Sequence, residues 1–525
     1  MLPAALLDPA VYPHPAPAPT LLETHISWVV LAGEFAYKIK RPVHYPFLDY
    51  SSAALRRAAC RTEVDLNRRW APDLYLGVAE LALTAEGPRF DRPGTPLEAA
   101  VRMRRFDRAL ELDALLARGA VDPQELAALG AAVAGWQAAS PVVAAAAPWG
   151  TPAEALAAVE ENLATLRAPG LPLPAGVVAA LAAWVSGEHG RVAPLLAARR
   201  AAGRVRECHG DLHSRNVVRW GGHLTPFDGI DFAARLRFID VASDVAFLAM
   251  DLERLGRADL GAAFFDGWLA ASGDFEAAQV WRWFLAYRAL VRAKVDALRA
   301  LQLGRAPAAA AAWSECRRFI AAAHDYTVRA PGTIVITCGP SGSGKSGLAA
   351  ALVTALGAVR IRSDVERKRL AGLPADASSA SPLDQGLYAP AATRRIYARL
   401  AALADGLARA GVNVLVDATY LDPGERRAAA AAARAAGARF AILECTAPPA
   451  VLRERVAARR ADPSEATLEV LEQQLRSGPA LTAAERRCAV QVDTTGSTDA
   501  AALATALRAA AAPPGDSPHG AAPGS

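Results

Sequence analysis

The chain changes its hydrophobic period along its length. From His25 to Tyr50 apolar and polar residues alternate, and "HISWVVLAGEFAYKIKRPV" predicts two strands turning at Ala32-Gly33-Glu34. A helix is expected from about Ser52 to Arg69, then further strands at "YLGVAELALT" and "EAAVRMRRF". Between about 108 and 202 the pattern is helical and alanine-rich, broken by "PGLPLP" from Pro169 to Pro174. Short strands return at 205 to 232, and helical periodicity resumes from 240 to 325. That order predicts a small β-rich front part and a larger helical back part.

At "HDYTVRAPGT" the periodicity breaks. Five short apolar runs follow, "TIVITCG", "VRIRSD", "VNVLVDAT", "RFAILECT" and "AVQVDT", each separated from the next by a helical stretch. Strands alternating with helices predict a parallel sheet with crossover helices. The tail "PPGDSPHGAAPGS" lacks the apolar content to fold and is expected to be disordered. The limits that follow are a first domain at 1–325, a linker at 326–332, a second domain at 333–508 and a tail at 509–525.

Composition narrows the function classes. At 525 residues the chain is long enough for two or three domains, and 53% apolar residues supply their cores. The net charge is only +5, with both signs mixed along the chain and no aromatic-basic patch, which weighs against nucleic acid as a partner. The six cysteines are scattered without C-x-x-C or zinc spacing, so reduced, buried thiols in a cytoplasmic protein are expected. The proline-broken start "MLPAALLDPAVYPHPAPAP" lacks a basic leader, and the longest uncharged run, 126 to 153, is interrupted by Pro141 and Pro148. Neither a signal peptide nor a membrane span is expected.

Two arrays carry chemistry. "GPSGSGKS" has Gly339, Gly344, Lys345 and Ser346 in G-x-x-x-x-G-K-[ST] spacing, after a predicted strand and before a predicted helix. In that context Ser341 and Gly342 belong to a loop whose backbone N–H groups wrap a phosphate, Lys345 reaches the β/γ-phosphates of ATP, and Ser346 ligates Mg²⁺. Asp417, closing "VNVLVD", reads as a carboxylate that holds the Mg²⁺ through water, or as a strand-end cap. Asp364 in "RSDVERKRL" falls where an acceptor would lie; Ser363 or Asp364 also suits the N-cap of the next helix. Arg453, Arg455, Arg459 and Arg460 precede a capping-box pattern at Asp462–Glu465 and read either as a lid stabilising the transferring phosphoryl group or as a solvated basic face.

The other array, "HGDLHSRN", sets Asn216 five residues after Asp211, the separation of the kinase catalytic loop H-R-D-L-x-x-x-N. At that spacing Asp211 can orient and deprotonate an acceptor hydroxyl, Asn216 can ligate Mg²⁺ on the phosphates, and His209 braces the loop. Further carboxylates follow at Asp228, Asp231, Asp240 and Asp244. Arg288 and Arg292 share a helix face beside Tyr287, with Lys294 nearby; if that face lines the acceptor site the acceptor is an anion, and otherwise Arg292 pairs with Asp296 on the surface.

With glycine in place of the arginine, "HGDLHSRN" resembles the aminoglycoside phosphotransferase and choline-kinase branch of the protein-kinase-like fold. The resemblance implies that Lys38 in "FAYKIK" pairs with the α/β-phosphates, with Lys40 on the same face as a rival, and that Glu63 is its ion-pair partner. It also implies a metal-holding aspartate: spacing from Asn216 favours Asp228, alignment on Asp240 and Asp244 favours Asp231, and both are kept. No G-x-G-x-x-G precedes Lys38 and no A-P-E follows, which favours a small-molecule acceptor over a protein. Residues 332 to 497 resemble P-loop kinases of the zeta-toxin and polynucleotide-kinase type. Taken whole, the segment order resembles bacterial two-domain proteins with an aminoglycoside phosphotransferase-like kinase fused to a P-loop kinase. The expected fold is therefore an α+β protein-kinase-like domain followed by an α/β P-loop domain with a parallel sheet. The expected function is a bifunctional ATP- and Mg²⁺-dependent phosphotransferase. The alternatives are that one domain is a nucleotide-binding regulator of the other, or that the P-loop half phosphorylates nucleic-acid ends.

Overall fold

The computed structural model describes residues 2–45, 48–374, 377, 389–458, 466–477 and 480–511. Contacts divide the chain into two compact units. One comprises Met1–Glu125, Gly135–Ala155 and Leu196–Leu248, the other Leu126–Ala134, Leu156–Leu195 and Ala249–Ser525.

The first unit is built on six antiparallel strands: β1 (Thr20–Glu23), β2 (Ser27–Ala32), β3 (Phe35–Lys40), β4 (Tyr75–Thr84), β5 (Gly87–Phe90) and β6 (Thr95–Arg104), in the order β1-β2-β3-β6-β4-β5. Gly33, at φ +58°, makes the left-handed turn between β2 and β3 where the sequence predicts it. Helix α1 (Ala53–Asn67) starts at Ser52, whose side chain accepts the Leu55 N–H. The alternation of β3 has a structural meaning. Tyr37 and Ile39 pack under the N-terminal segment with Leu6, Val11 and Tyr12, whereas Ala36 packs with Cys60 and Val64 of α1. Lys38 and Lys40 therefore face α1.

Helices α2 (Pro123–Ala139), α3 (Pro152–Leu166) and α4 (Ala175–Ala201) follow, and then the short strands β7 (Val205–Glu207), β8 (Val217–Trp220), β9 (His223–Pro226) and β10 (Phe238–Asp240). β8 and β9 form a hairpin, and β7 pairs antiparallel with β10. Helices α5 (Val241–Arg254), α6 (Ala258–Ser272), α7 (Ala278–Leu303) and α8 (Pro307–Val328) complete the helical part.

The second array sits in a five-stranded sheet whose strands are β11 (Thr333–Cys338), β12 (Ala358–Arg362), β13 (Asn413–Asp417), β14 (Arg439–Thr446) and β15 (Ala489–Asp493). Their order is β12-β13-β11-β14-β15, every pair parallel. All five fall on the predicted apolar runs. Around them lie α9 (Lys345–Leu356), α10 (Ser363–Leu370), α11 (Pro390–Arg409), α12 (Pro423–Ala436), α13 (Pro449–Ala457), α14 (Leu468–Ser477) and α15 (Ala500–Ala510). Leu503 and Leu507 of α15 pack with Val335, Leu352, Leu415 and Leu443 in one buried cluster.

One expectation needs adjustment. Strand β12 runs directly into α10, with Arg362 at the N-cap and no side-chain cap bond, so neither Ser363 nor Asp364 caps the helix; Asp364 lies in its first turn. Helix α15 ends at Ala510, with Leu503 and Leu507 in the core. The lid arginines Arg459 and Arg460, the capping-box pattern at Asp462–Glu465 and the tail from 512 onward lie outside the described residues. All six cysteines are free and buried, as expected.

Candidate active sites

The first site grows from β3, α1 and the loops around β8 and β9. Lys38 Nζ lies 2.8 Å from Glu63 Oε1 and also contacts the Asp228 carboxylate. Two residues on, Lys40 Nζ lies 2.5 Å from Glu63 Oε2 and 2.7 Å from Asp231 Oδ2. Glu63 thus bridges both lysines, and each lysine takes one of the two rival aspartates. Their surroundings differ: the side chains of Lys40 and Glu63 are fully buried and that of Asp231 is 5% exposed, whereas Asp228 is 46% exposed. Burial alone would lower the Lys38 pKa, but Asp228 and Glu63 more than offset it and hold the ammonium charged. Glu63, although buried, is kept below the usual carboxylate range by Lys38 and Lys40.

The Asp228 turn is held at successive residues. Phe227 N–H donates to Asn216 O at 2.9 Å, Asp228 N–H to the Tyr75 hydroxyl at 2.9 Å, Gly229 N–H to Asn67 Oδ1 at 2.8 Å, and Ile230 N–H to His209 O at 2.9 Å. Asp228 itself is left-handed, at φ +60°, a cost of order 1 kcal/mol that this set of bonds maintains.

In the catalytic-loop array, Asn216 Nδ2 donates to Asp211 Oδ2 at 2.9 Å and to Asp211 O at 3.0 Å. His213 Nε2 is 3.4 Å from the same carboxylate. His209 braces the loop as expected: its Nε2 meets Phe227 O at 2.9 Å and its Nδ1 meets Asp211 N–H at 3.3 Å. A carbonyl only accepts and an amide N–H only donates, so the partners select the neutral Nε2–H tautomer. Burial also lowers the His209 pKa, which agrees. Asp244 accepts His209 N–H at 3.2 Å and Gly210 N–H at 2.9 Å, and Asp240 is clamped by Arg199 at 2.7 and 2.8 Å. Those two aspartates hold structure together and leave Asp228 and Asp231 as the pair beside the lysines.

The helix face proposed for an anion is engaged in packing. Arg292 lies over the Phe319 ring at 5.6 Å, Lys294 pairs with Glu161 at 2.6 Å, and buried Arg288 lies over Tyr287 at 5.1 Å.

The second site is the β11–α9 loop. Gly339, Gly342 and Gly344 all have positive φ, and a Cβ at Gly339 would fall 2.3 Å from Cys445 O, so this loop conformation requires glycine. Lys345 Nζ donates to Pro340 O at 2.7 Å and Ser343 Oγ at 3.3 Å. Ser341 N–H donates to Gln474 Oε1 at 2.8 Å. Ser346 Oγ donates to Asp417 Oδ1 at 3.2 Å, and Arg362 Nε stands 3.8 Å from Asp417 Oδ2. Arg455, expected in a lid, is fixed on the loop itself: Nη1 reaches Thr494 Oγ1 at 2.8 Å and Gly342 O at 3.3 Å, and Nη2 reaches Thr494 O at 2.7 Å. Arg453 pairs with Glu472 at the surface.

Beyond Asp417 the chain forms a strained turn that the sequence did not reveal. Tyr420, buried, has φ +44°. Tyr397 OH lies 2.9 Å from Thr419 Oγ1, Gly339 N–H donates to Thr419 O at 3.0 Å, and Arg426 Nη1 donates to Tyr420 O at 3.1 Å. Beside it, burial and then Asp422 push the Glu425 carboxyl up to about 7.

Residues 334–481 match a family model described as an AAA domain. Over 455 residues the chain is 34% identical to uncharacterized protein Rv2004c of Mycobacterium tuberculosis, covering 85% of this chain and 88% of that protein. The chain belongs to that family. Uncharacterized protein Mb2027c of Mycobacterium bovis, another member, matches over the same lengths at the same identity. Among solved structures, a choline/ethanolamine kinase family protein from Mesorhizobium loti is similar at 14% identity (TM-score 0.38), covering 62% of this chain and 99% of that one. A sugar kinase from Janibacter is similar at 21% identity (TM-score 0.27), covering 34% of this chain and 94% of that one. In this chain the lysine–glutamate pair and the Asp211–Asn216 loop lie in one unit, and the segment that matches the AAA-domain model lies in the other. Among the described residues no helix is long and apolar enough to cross a membrane.

Of the residues singled out in the sequence, the structure brings Lys38 to Glu63, Asp211 to Asn216 and Ser346 to Asp417, with Lys345 beside Ser346 at the start of α9. It missed Tyr75, Asn67 and Gln474, whose roles depend on contacts between segments distant in sequence. Only the second lysine of "FAYKIK" offered a signal for the Lys40–Asp231 pair.

Proposed function

We propose that the chain is a bifunctional phosphotransferase, each site moving the γ-phosphoryl group of ATP to a hydroxyl of a small molecule. The observation that carries this reading is the pairing at the first site: an Asp211–Asn216 carboxylate–amide contact in the same unit as a Lys38–Glu63–Asp228 chain whose Asp228 side chain is 46% exposed.

At the first site Asp211 orients the acceptor hydroxyl and takes its proton as the new O–P bond forms and the bond to the leaving ADP breaks. Lys38 pairs with the α/β-phosphates and Glu63 holds it. Asn216 and Asp228 are the metal-holding pair. Asp231 is committed to Lys40 and supports the turn. At the second site the loop N–H groups and Lys345 cradle the phosphates, Ser346 and Asp417 hold the metal, Arg455 fixes the loop, and Asp364, in the first turn of α10, meets the acceptor.

The donor sets fit Mg²⁺. Among the described residues no group of three or more His, Cys, Asp and Glu side chains forms a metal cluster, and the proposed ligands are Asp228 with the Asn216 amide oxygen at the first site and Asp417 with the Ser346 hydroxyl at the second. Such sparse oxygen sets suit a cation that takes its other ligands from phosphates and water. When bound, it neutralises charge on the transferring group. The modest net charge supports small-molecule acceptors over nucleic acid, and the six free thiols support a reducing, cytoplasmic setting.

The test is to incubate wild type, Asp211→Asn and Lys345→Ala with γ-labelled ATP and a metabolite extract, and to identify labelled products by mass spectrometry. Loss of a different product in each variant is the expected result. An anionic acceptor, the expectation attached to Arg288 and Arg292, is read from the charge of the labelled product. Label appearing only as free phosphate, or one variant behaving as wild type, would replace the bifunctional reading with a single kinase and a nucleotide-binding regulator.

A further inference from the structure

The P-loop sheet has an edge at β12, and a sheet edge presents unpaired N–H and C=O groups unless something covers it. Here helix α6 covers it. Asp266 of α6 accepts a hydrogen bond from the backbone N–H of Arg360, in the middle of the strand. The Arg360 side chain turns inward and its Nη1 donates to the carbonyl of Ser346 at 3.1 Å. Ser346 is the residue whose Oγ bonds Asp417. In register, Arg360 lies opposite Leu415 and Arg362 opposite Asp417, so a shift of β12 along β13 would move Arg360 away from Ser346 and Arg362 away from Asp417.

Helix α6 is itself tightly placed. A Cβ at Gly267 would fall 2.0 Å from Ala127 O, and one at Gly130 would fall 2.1 Å from Phe264 O, so α2 and α6 touch backbone to backbone. A second tie lies beyond the strand, where Arg369 Nη2 donates to Ala270 O at 2.7 Å and its guanidinium lies over the Phe275 ring at 5.8 Å. Asp266 and Gly130 precede the segment that matches the AAA-domain model, which begins at residue 334.

We propose that Asp266 is a positioning residue of the P-loop site, setting the register of β12 so that Arg360 holds Ser346, and with it the metal-binding hydroxyl, in place. A helix that precedes the segment matched by the AAA-domain model is thereby part of the P-loop site's nucleotide machinery. The inference rests on the reading of Ser346 as the metal-holding serine.

The experiment uses the full chain carrying Lys38→Met to silence nucleotide binding at the first site, and titrates a fluorescent ATP analogue with and without Mg²⁺. Asp266→Leu and Arg360→Met are expected to raise the Mg²⁺ concentration needed for half-saturation on the order of 10-fold, as loss of an outer-shell support does, with Mg²⁺-free binding unchanged. Asp266→Asn, which keeps an oxygen for the Arg360 N–H, is expected to behave as the parent. A purely packing role for α6 would lower Tm in all three without separating the two titrations. If Ser346→Ala raises the Mg²⁺ requirement while Asp266→Leu and Arg360→Met do not, the positioning role is refuted and the metal assignment stands. If Ser346→Ala also leaves it unchanged, the metal assignment fails and the inference falls with it.

Discussion

Lys40 and Asp231 form an ion pair 2.7 Å long, with the lysine side chain fully buried and the Tyr50 hydroxyl donating to the same carboxylate oxygen at 3.3 Å. Asp231 is enclosed in this way, whereas the Asp228 side chain is 46% exposed. The two are only three residues apart in sequence, but they differ in burial and in the lysine each one meets.

Removing one partner of this pair is expected to be costly. Lys40→Met leaves Asp231 and half of Glu63 without a counter-charge, and loss of one partner of a buried pair costs roughly 3 to 5 kcal/mol. Lys40→Met/Asp231→Leu is expected to recover most of that loss. Urea unfolding of the parent and the two variants checks both statements, and equal destabilisation of the single and double variants would contradict them.

Asp228→Asn is expected to leave unfolding midpoints near the parent value, since asparagine tolerates the left-handed backbone and the turn is held by its N–H groups. It is expected to raise the Mg²⁺ requirement of the first site's phosphoryl transfer. A large stability loss with an unchanged Mg²⁺ requirement would return the metal role to Asp231.

Asp211→Asn is expected to slow product formation at the first site by roughly 10²- to 10⁴-fold, the usual worth of a positioned base. Asparagine still accepts from Asn216, so nucleotide affinity should change little. Rapid-quench measurement of the labelled product separates the two effects.

Stability is expected to fall between about pH 4 and pH 6 through Asp266, whose carboxyl burial pushes up to about 6. An acid with a raised pKa in the native state holds its proton more tightly there than in the unfolded chain, so raising the pH across that window favours unfolding; above it the effect is constant. Glu425, up to about 7, extends the same trend toward neutrality. Thermal melts from pH 4 to 8 should show a shallower decline in Asp266→Asn than in the parent. An unchanged slope would show that Asp266 does not titrate in that range.

Much of this molecule is legible from its sequence because its signals are local. The turn at Gly33, the five apolar runs of the parallel sheet and the glycine spacing before Lys345 each reflect backbone geometry within a few residues. The Asp211–Asn216 spacing is local in the same sense. What escaped the sequence depends on tertiary partners: Tyr75 and Asn67 holding the Asp228 turn, Arg455 donating to Gly342 O and Thr494, and α10 starting without the cap that Ser363 or Asp364 offered. The difference in burial between Asp228 and Asp231 is likewise something that spacing does not encode.

The covering of β12 by α6 also bears on how the protein is handled. A fragment starting in the stretch 326–332, where the sequence suggests a natural cut, would leave the outer strand of the P-loop sheet bare along its hydrogen-bonding side. Bare strand edges recruit other strands. Such a fragment would self-associate, and its low activity would record aggregation rather than the competence of the P-loop.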